Sequence, residues 1–396
     1  MPHLVNYCRN CGSEKTEKLF FFPHTFFWYG VNTDFFEKNI IPKYMDAVIL
    51  FCNECGFMGL PVDDTLRDLL NVLYRSPDSV TGATLDKKST YSIRLAQDFF
   101  GIFSKLLDGR MPEKILEVGC QQGYLLYELK KRGARRVVGV EPGSITPWVD
   151  DNGETLDVRH GFLSREIVRE NDFDFVYSLN VLEHVEQPKE FLHIIYDSMK
   201  EGGMLLLAVP NELFSLQEGN LGMFMFQHLN YFIPESLKAM LRECGFTIKK
   251  VISARKEPIY ILAEKTQTKD ININFGHEKD KIRKLLVKYQ EKLNDKLNII
   301  HRALKKSKSK PLGFYGVAGC INIFSWLPVL FERPCAVFDS DSLTWGKSYG
   351  GIPCPVMSPQ RLNEVTDVIS VPFRLQEEIV SIIAEKEPSV NIHRLY

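Results

Sequence analysis

Four cysteines stand in two pairs of identical spacing, Cys8 with Cys11 and Cys52 with Cys55, and a glycine, Gly12 or Gly56, follows each second cysteine. Two intervening residues let both thiolates of a pair reach one ion, and two pairs supply the four soft ligands of a closed tetrahedral zinc site. Such a site keeps no open position, so its Zn2+ clamps a fold and activates no water. The 40 residues from Gly12 to Phe51 exceed the gap of a minimal zinc ribbon and predict an inserted loop carrying the aromatic stretch LFFFPHTFFWYG. The remaining cysteines, Cys120, Cys244, Cys320, Cys335 and Cys354, lack this spacing and read as core thiols.

A second chemical pattern lies in KILEVGCQQGYLLYELKKRGARRVVGVEPG. An apolar strand ends at Glu117, a turn carries Gly119 and Gly123, a helix follows, and a second strand ends in Glu141. Gly119 lets the backbone approach a ligand, Gly123 brings helix and strand together, and Glu141, 22 residues beyond Gly119, sits where an acid grips ribose hydroxyls. A third is His228, in the aromatic-rich MFMFQHLNYF just before a helix opened by Pro234 and Glu235. A histidine over a ligand cleft takes a proton near neutral pH. The same residue also fits a packed core position.

These residues need elements to hold them. Between Lys114 and Lys265, short β-like runs (KILEVG, RVVGVE, FDFVYSL, GGMLLLAVP, YILAEK) alternate with helical stretches, which predicts an α/β fold with a mostly parallel sheet covered by helices. A helical face over Ser89 to Leu107 leads into it and ends at Met111-Pro112. Ile282, Leu285, Leu286, Tyr289, Leu293, Leu297, Ile300 and Leu304 recur at three- and four-residue spacing and predict a long amphipathic linker helix. Its basic end, LKKSKSKP, reads as a solvated hinge. A last module opens with KPLGFYGVAG and continues through AVFDSD, VISVPF and an EEIVSIIAE helix. The expected division is a zinc domain over 1–75, an α/β domain over 76–268, a linker helix over 269–310 and a C-terminal α/β lobe over 311–396.

The loop E-x-G-x-x-x-G from Glu117 to Gly123 resembles the first motif of class I methyltransferases, with Gln121 where that family carries another glycine. FDFVYSLNVLEHVEQPKEFL and GGMLLLAVPNE look like that family's fourth and fifth strands. The resemblance implies S-adenosylmethionine as cofactor, held by Glu117, Gly119, Cys120, Gln121, Gly123 and Glu141, with Phe162 near adenine and Asn180 and Leu182 lining the pocket. Glu183 and His184 read equally as a helix start with structural contacts alone.

Together, a four-cysteine zinc domain, a methyltransferase core and a half-Rossmann tail resemble the sugar C-methyltransferases that act on nucleotide-linked keto-deoxysugars. In the tail, GFYGVAGCIN and FDSDSLTWGKSYGGIPCPVMSP are similar to that family's glycine turn and the segment that follows its next strand. Gly316, Gly319, Asp339 and Lys347 are then the candidate groups for the nucleotide sugar. The family's Tyr-His-Glu-His cluster falls on Met225, Phe226, Gln227 and His228, so only the last histidine matches. His228 with Tyr231 would serve as the catalytic pair, and an oxygen or nitrogen acceptor stays open beside carbon. A non-catalytic scaffold built on the same fold is the reading from another class.

Composition bounds these readings. Lys plus Arg (49) balance Asp plus Glu (50), which argues against a nucleic-acid partner and for a small-molecule substrate. No apolar run reaches the roughly 18 residues of a membrane span, and MPHLVNYCRNCG lacks the order of a signal peptide, so a cytoplasmic location with reduced thiols is expected. Oligomeric state has no signature in the sequence.

Overall fold

The structure is a computed structural model that describes residues 7–27, 42–76, 90–144, 146–254, 258–266, 276–307, 310–318, 320–327, 329–349, 352 and 354–396. The chain forms two compact units. The first gathers 1–17, 50–211 and 227–279, and the second gathers 18–49, 212–226 and 280–396. Each is discontinuous, whereas the sequence reading divides the chain linearly at 75, 268 and 310.

Strands Thr16–Phe26 (β1) and Tyr44–Cys52 (β2) lie largely in the second unit. The end of β2 belongs to the first unit, where Leu50 and Phe51 pair antiparallel with Met58–Gly59 (β3). The β3 residues pair in turn with the two-residue strand Asn230–Tyr231.

The first unit is built on a seven-stranded sheet of Lys114–Val118 (β4), Arg136–Glu141 (β5), Asp157–His160 (β6), Phe173–Leu179 (β7), Met199–Val209 (β8), Phe246–Ser253 (β10) and Ile259–Lys265 (β11), Asn230–Tyr231 being β9. Its order is β10-β11-β8-β7-β4-β5-β6. The strands β4 to β8 are parallel, and β11 joins them antiparallel. The five runs read as strands in the sequence are all strands here. Alternate residues of β4 feed two apolar clusters, Leu116 and Val118 on one face and Ile115 on the other. Burial on both faces is why these runs are continuously apolar. The chain leaves β4 toward β5 and β6 on one side and returns through β7 and β8 on the other. That reversal falls between β4 and β7, and it is beyond the carboxyl ends of such strands that open α/β sheets bind ligands.

The second unit carries an all-parallel five-stranded sheet of Leu312–Tyr315 (β12), Cys335–Phe338 (β13), Val356–Met357 (β14), Asp367–Ser370 (β15) and Asn391–Arg394 (β16), ordered β14-β13-β12-β15-β16. It too reverses direction, between β12 and β15. The expected amphipathic helix is present as Gly276–Lys306, with Ile282, Leu286, Tyr289, Leu293, Ile300 and Leu304 buried. Tyr289 packs its ring against Phe20 and Phe224 within this unit, and Trp326 stacks on Phe22. None of the described helices is long and apolar enough to cross a membrane.

Candidate functional site

The glycine turn leaves β4 at the reversal point of the larger sheet. Gly119 has φ +82°, and a side chain there would drive its Cβ to 2.3 Å from Val181 Cγ2, just past β7. The turn and the end of β7 therefore approach each other through the missing side chain. Gln121 has φ +50°, in the left-handed region, so it holds the glycine-like backbone without being glycine. Its N–H donates to Glu141 Oε2 at 2.9 Å, and Gly143 N–H donates to Oε1 at 3.0 Å. Glu141 is thus fixed at the end of β5 beside the turn, with lone pairs left to accept from a ligand's hydroxyls. Burial raises its carboxyl above the usual range.

Glu117 lies opposite Tyr177 in the β4–β7 ladder and accepts from its hydroxyl at 2.7 Å. Burial pushes Glu117 up to about 8, against the Tyr177 bond that lowers it, so the buried carboxyl keeps its proton near neutrality. Asn180 follows β7 with φ +54°, its N–H bonded to Ala208 O at 2.8 Å. The Cys120 thiol and the Leu182 side chain both belong to apolar clusters. Within the turn the Cys120 carbonyl accepts from Gly123 N–H at 2.8 Å, and the Cys120 thiol lies 3.5 Å from Gln121 O. Phe162, beyond β6, is 39% exposed with the Arg75 guanidinium 5.3 Å from its ring centre.

His228 lies in a polar cluster that the sequence reading captured only in part. Ligand-capable atoms of Glu183, His184 and His228 all lie within 4.8 Å of one another. The His184 and His228 rings meet edge to face at 4.9 Å. His184 Nδ1 lies 2.7 Å from the Gln227 carbonyl and 3.1 Å from the Tyr74 hydroxyl. At that distance the Gln227 carbonyl accepts from Nδ1–H. His228 Nδ1 is buried with no hydrogen-bond partner among the described residues. Burial, then neighbouring His184, depresses His228 well below the usual histidine range, and burial lowers His184 to about 4. Both rings are neutral at pH 7.

The backbone around His228 is clasped on both sides. Leu229 N–H donates to Glu183 O at 2.8 Å, and Asn230 Nδ2 donates to Val185 O at 2.7 Å. Leu229 O accepts from Leu60 N–H at 3.0 Å and from the Arg9 guanidinium at 2.9 Å. Arg9 stands between Cys8 and Cys11, so one cysteine knuckle is tied to the residue that follows His228. Tyr231 is 1% exposed and pairs with Met58 in the β3–β9 ladder. Tyr74 and Arg9 were absent from the sequence reading. Tyr74 lies in the last turn of the helix Asp64–Arg75 and meets residues more than a hundred positions away, which no local periodicity reports.

The four knuckle cysteines also converge. Their sulfurs lie within 4.8 Å of one another, with Cys8–Cys55 and Cys11–Cys52 at 3.5 Å. Arms of about 2.3 Å to a central zinc would separate tetrahedral sulfurs by about 3.8 Å. Each knuckle closes in the same way, Gly12 N–H on Cys8 O and Gly56 N–H on Cys52 O. The donor set and its spacing fit zinc.

In the second unit, Gly316 N–H donates to Phe338 O at 2.9 Å at that sheet's reversal point. Asp339 follows β13, with burial raising its carboxyl, and Lys347 is exposed on the loop beyond. Gly319 lies outside the described residues.

A family described as methyltransferase domain matches residues 91–251. Over 164 residues the chain is 27% identical to the tRNA U34 carboxymethyltransferase of Helicobacter acinonychis, covering 36% of this chain and 59% of that protein. It is 30% identical over 115 residues to the mitochondrial ubiquinone biosynthesis O-methyltransferase of Dictyostelium discoideum, covering 25% of this chain and 36% of the relative. The chain thus spans less than two thirds of the length of these relatives. Among solved structures, the magnesium protoporphyrin IX methyltransferase of Synechocystis with bound SAH aligns at 17% identity and a TM-score of 0.34, covering 51% of this chain and 95% of the other. With the motif, the sheet order and the family match in agreement, residues 91–251 form a class I, S-adenosylmethionine-dependent methyltransferase domain.

Proposed function

We propose that this protein moves a methyl group from S-adenosylmethionine to a sugar, one carried on a nucleotide, with His228 as general base. What supports the base is an unpartnered, neutral imidazole nitrogen whose segment is hydrogen-bonded to Glu183 in the loop that follows β7. The cofactor supplies an electrophilic methyl on a sulfonium. Gly119 and Gln121 give it a close backbone, Glu141 accepts from its ribose hydroxyls, and Glu117 offers a carboxyl to its cationic end. His228 takes the acceptor's proton as the new bond forms, and the Glu183 carboxyl group nearby offsets the charge that the ring gains. The zinc held by Cys8, Cys11, Cys52 and Cys55 would have a structural role. Gly316, Gly319, Asp339 and Lys347 are proposed to bind the nucleotide sugar, and the location is proposed to be cytoplasmic.

One observation favours a second reading, transfer to oxygen or nitrogen. Met225, Phe226 and Gln227 stand where the resembled family has tyrosine, histidine and glutamate, and a carbon acid needs more help than a hydroxyl. The deciding experiment is mass spectrometry of nucleotide sugars incubated with protein and labelled cofactor, reading mass gain and labelled position. Exchange of the proton beside a keto group without cofactor would support carbon. No mass gain on any sugar, with turnover of a non-sugar hydroxyl instead, would overturn the sugar assignment.

A further inference from the structure

Two thiols outside the zinc cluster lie against each other in the second unit. Cys335 opens β13, Cys354 precedes β14, and their sulfurs are 3.2 Å apart, nearer than the 3.5 Å pairs of the zinc cluster. The ladder explains the contact. Val337 pairs with Val356 across the parallel strands, and each cysteine stands two residues earlier in the chain, Cys335 at the start of β13 and Cys354 in the bend before β14, which brings the two thiols together. Neighbouring strands run about 4.8 Å apart, inside the roughly 4.4–6.8 Å between Cα atoms that a disulfide spans. Both thiols are partly exposed, within reach of a small oxidant. No third cysteine, histidine or acid joins them in a metal-competent group among the described residues, so two soft ligands stand without the other two that a closed zinc site needs. The contact between the sulfurs also lowers the Cys335 thiol below its ordinary value, which favours the nucleophilic thiolate.

We infer that Cys335 and Cys354 form a reversible oxidative modification site, in which a hydroperoxide such as hydrogen peroxide converts the facing thiols into an intramolecular disulfide. The Cys335 thiolate attacks a peroxide oxygen, giving a sulfenic acid and, after protonation of the leaving hydroxide, one water. The Cys354 thiolate then attacks that sulfur and expels the second water. The two thiols lose two electrons and two protons, and one hydrogen peroxide becomes two waters. The bond staples β14 to the start of β13 and closes a ring 19 positions long that contains Asp339, Asp341, Lys347 and Tyr349. This modification is independent of the methyl acceptor proposed above.

The test uses the full chain, exposed to stoichiometric hydrogen peroxide, alkylated and digested. The expected result is a peptide linking Cys335 to Cys354, lighter by two hydrogens, with loss of alkylation at both sites and full recovery after dithiothreitol. Cys335→Ser should abolish the linked peptide and leave Cys354 open to mixed disulfide formation with added glutathione. The inference is overturned if both cysteines alkylate as fully after peroxide as before. Oxidation to separate sulfinic acids, or pairing with other cysteines, would overturn it equally. The wild-type map decides the matter even if the variant fails to fold.

Discussion

His228 owes its chemistry to where its neighbours leave it. A solvated histidine loses half its basic form near pH 6.5. Here burial and His184 hold the ring well below that value, so methyl transfer should keep its rate from pH 8 down past 6.5. A kcat profile that halves near 6.5 would remove His228 as the base. His228→Ala should cost roughly 10²–10⁴ in kcat while cofactor affinity, read by calorimetry, stays put. Glu117 carries a second, opposite signature. Its carboxyl, raised to about 8, is protonated at pH 7, and a cationic ligand drawn to it should expel that proton. Affinity for S-adenosylmethionine should therefore rise with pH up to about 8, and binding heats at pH 7 should differ between buffers of different ionisation enthalpy. Equal heats would count against Glu117 as a cofactor contact. Glu117 and Glu141 were legible in the sequence because one local βαβ unit spells them out. Cys120 lies within the same unit and Leu182 just beyond β7, and both side chains belong to apolar clusters. Motif spacing fixes a backbone position and leaves the direction of the side chain to packing.

At the level of elements, the two knuckles were readable from four residues, and the sulfurs do converge. The sequence was silent on what the knuckle does next. Arg9, inside the first pair, donates to Leu60 O at 2.7 Å and to Leu229 O at 2.9 Å, so it joins β3 to the residue after His228. Colorimetric titration should find one zinc per chain, lost in Cys55→Ser together with cooperative unfolding of the first unit. Arg9→Ala should retain that zinc but let the His228 segment shift, and an ångström of misplacement costs about 10²-fold in rate. Full zinc with unchanged kcat in Arg9→Ala would show that the knuckle is a clamp unrelated to catalysis. The strands of both sheets were legible from their apolar runs, except the short or half-exposed ones. Asp157–His160 and Asn391–Arg394 each show a burial pattern with no fully buried residue, and Val356–Met357 is two residues long. Such strands are held by their neighbours' ladders and carry too little apolar signal of their own.

For the whole molecule, the sequence suggests modules in a line, and the chain instead returns to each unit more than once. Residues 18–49 and 212–226 belong with 280–396. The reason lies in the aromatic stretch, which reads locally as an inserted loop of the zinc module. Phe20 and Phe22 pack on Phe224, Phe20 and Phe224 pack on Tyr289, and Phe22 stacks on Trp326. Asn322 secures the same group, accepting from Phe26 N–H at 3.0 Å and donating to Phe224 O at 3.3 Å. A chain cut after residue 268 keeps the whole methyltransferase motif but strands three phenylalanines and their backbone without Tyr289, Asn322 and Trp326. Each buried aromatic that loses its packing costs about 3–5 kcal/mol, against a net stability of only about 5–15 kcal/mol for a domain. The fragment 1–268 should therefore bind a hydrophobic dye, aggregate on gel filtration and lack the full chain's cooperative melt, although the proposed base and cofactor-binding residues are all present. A soluble monomer melting within about 3 °C of the full chain, a shift worth only about 1 kcal/mol in a domain of this size, would show that the linear modules fold alone. The aromatic cluster would then be an accessory rather than the reason the chain is interleaved.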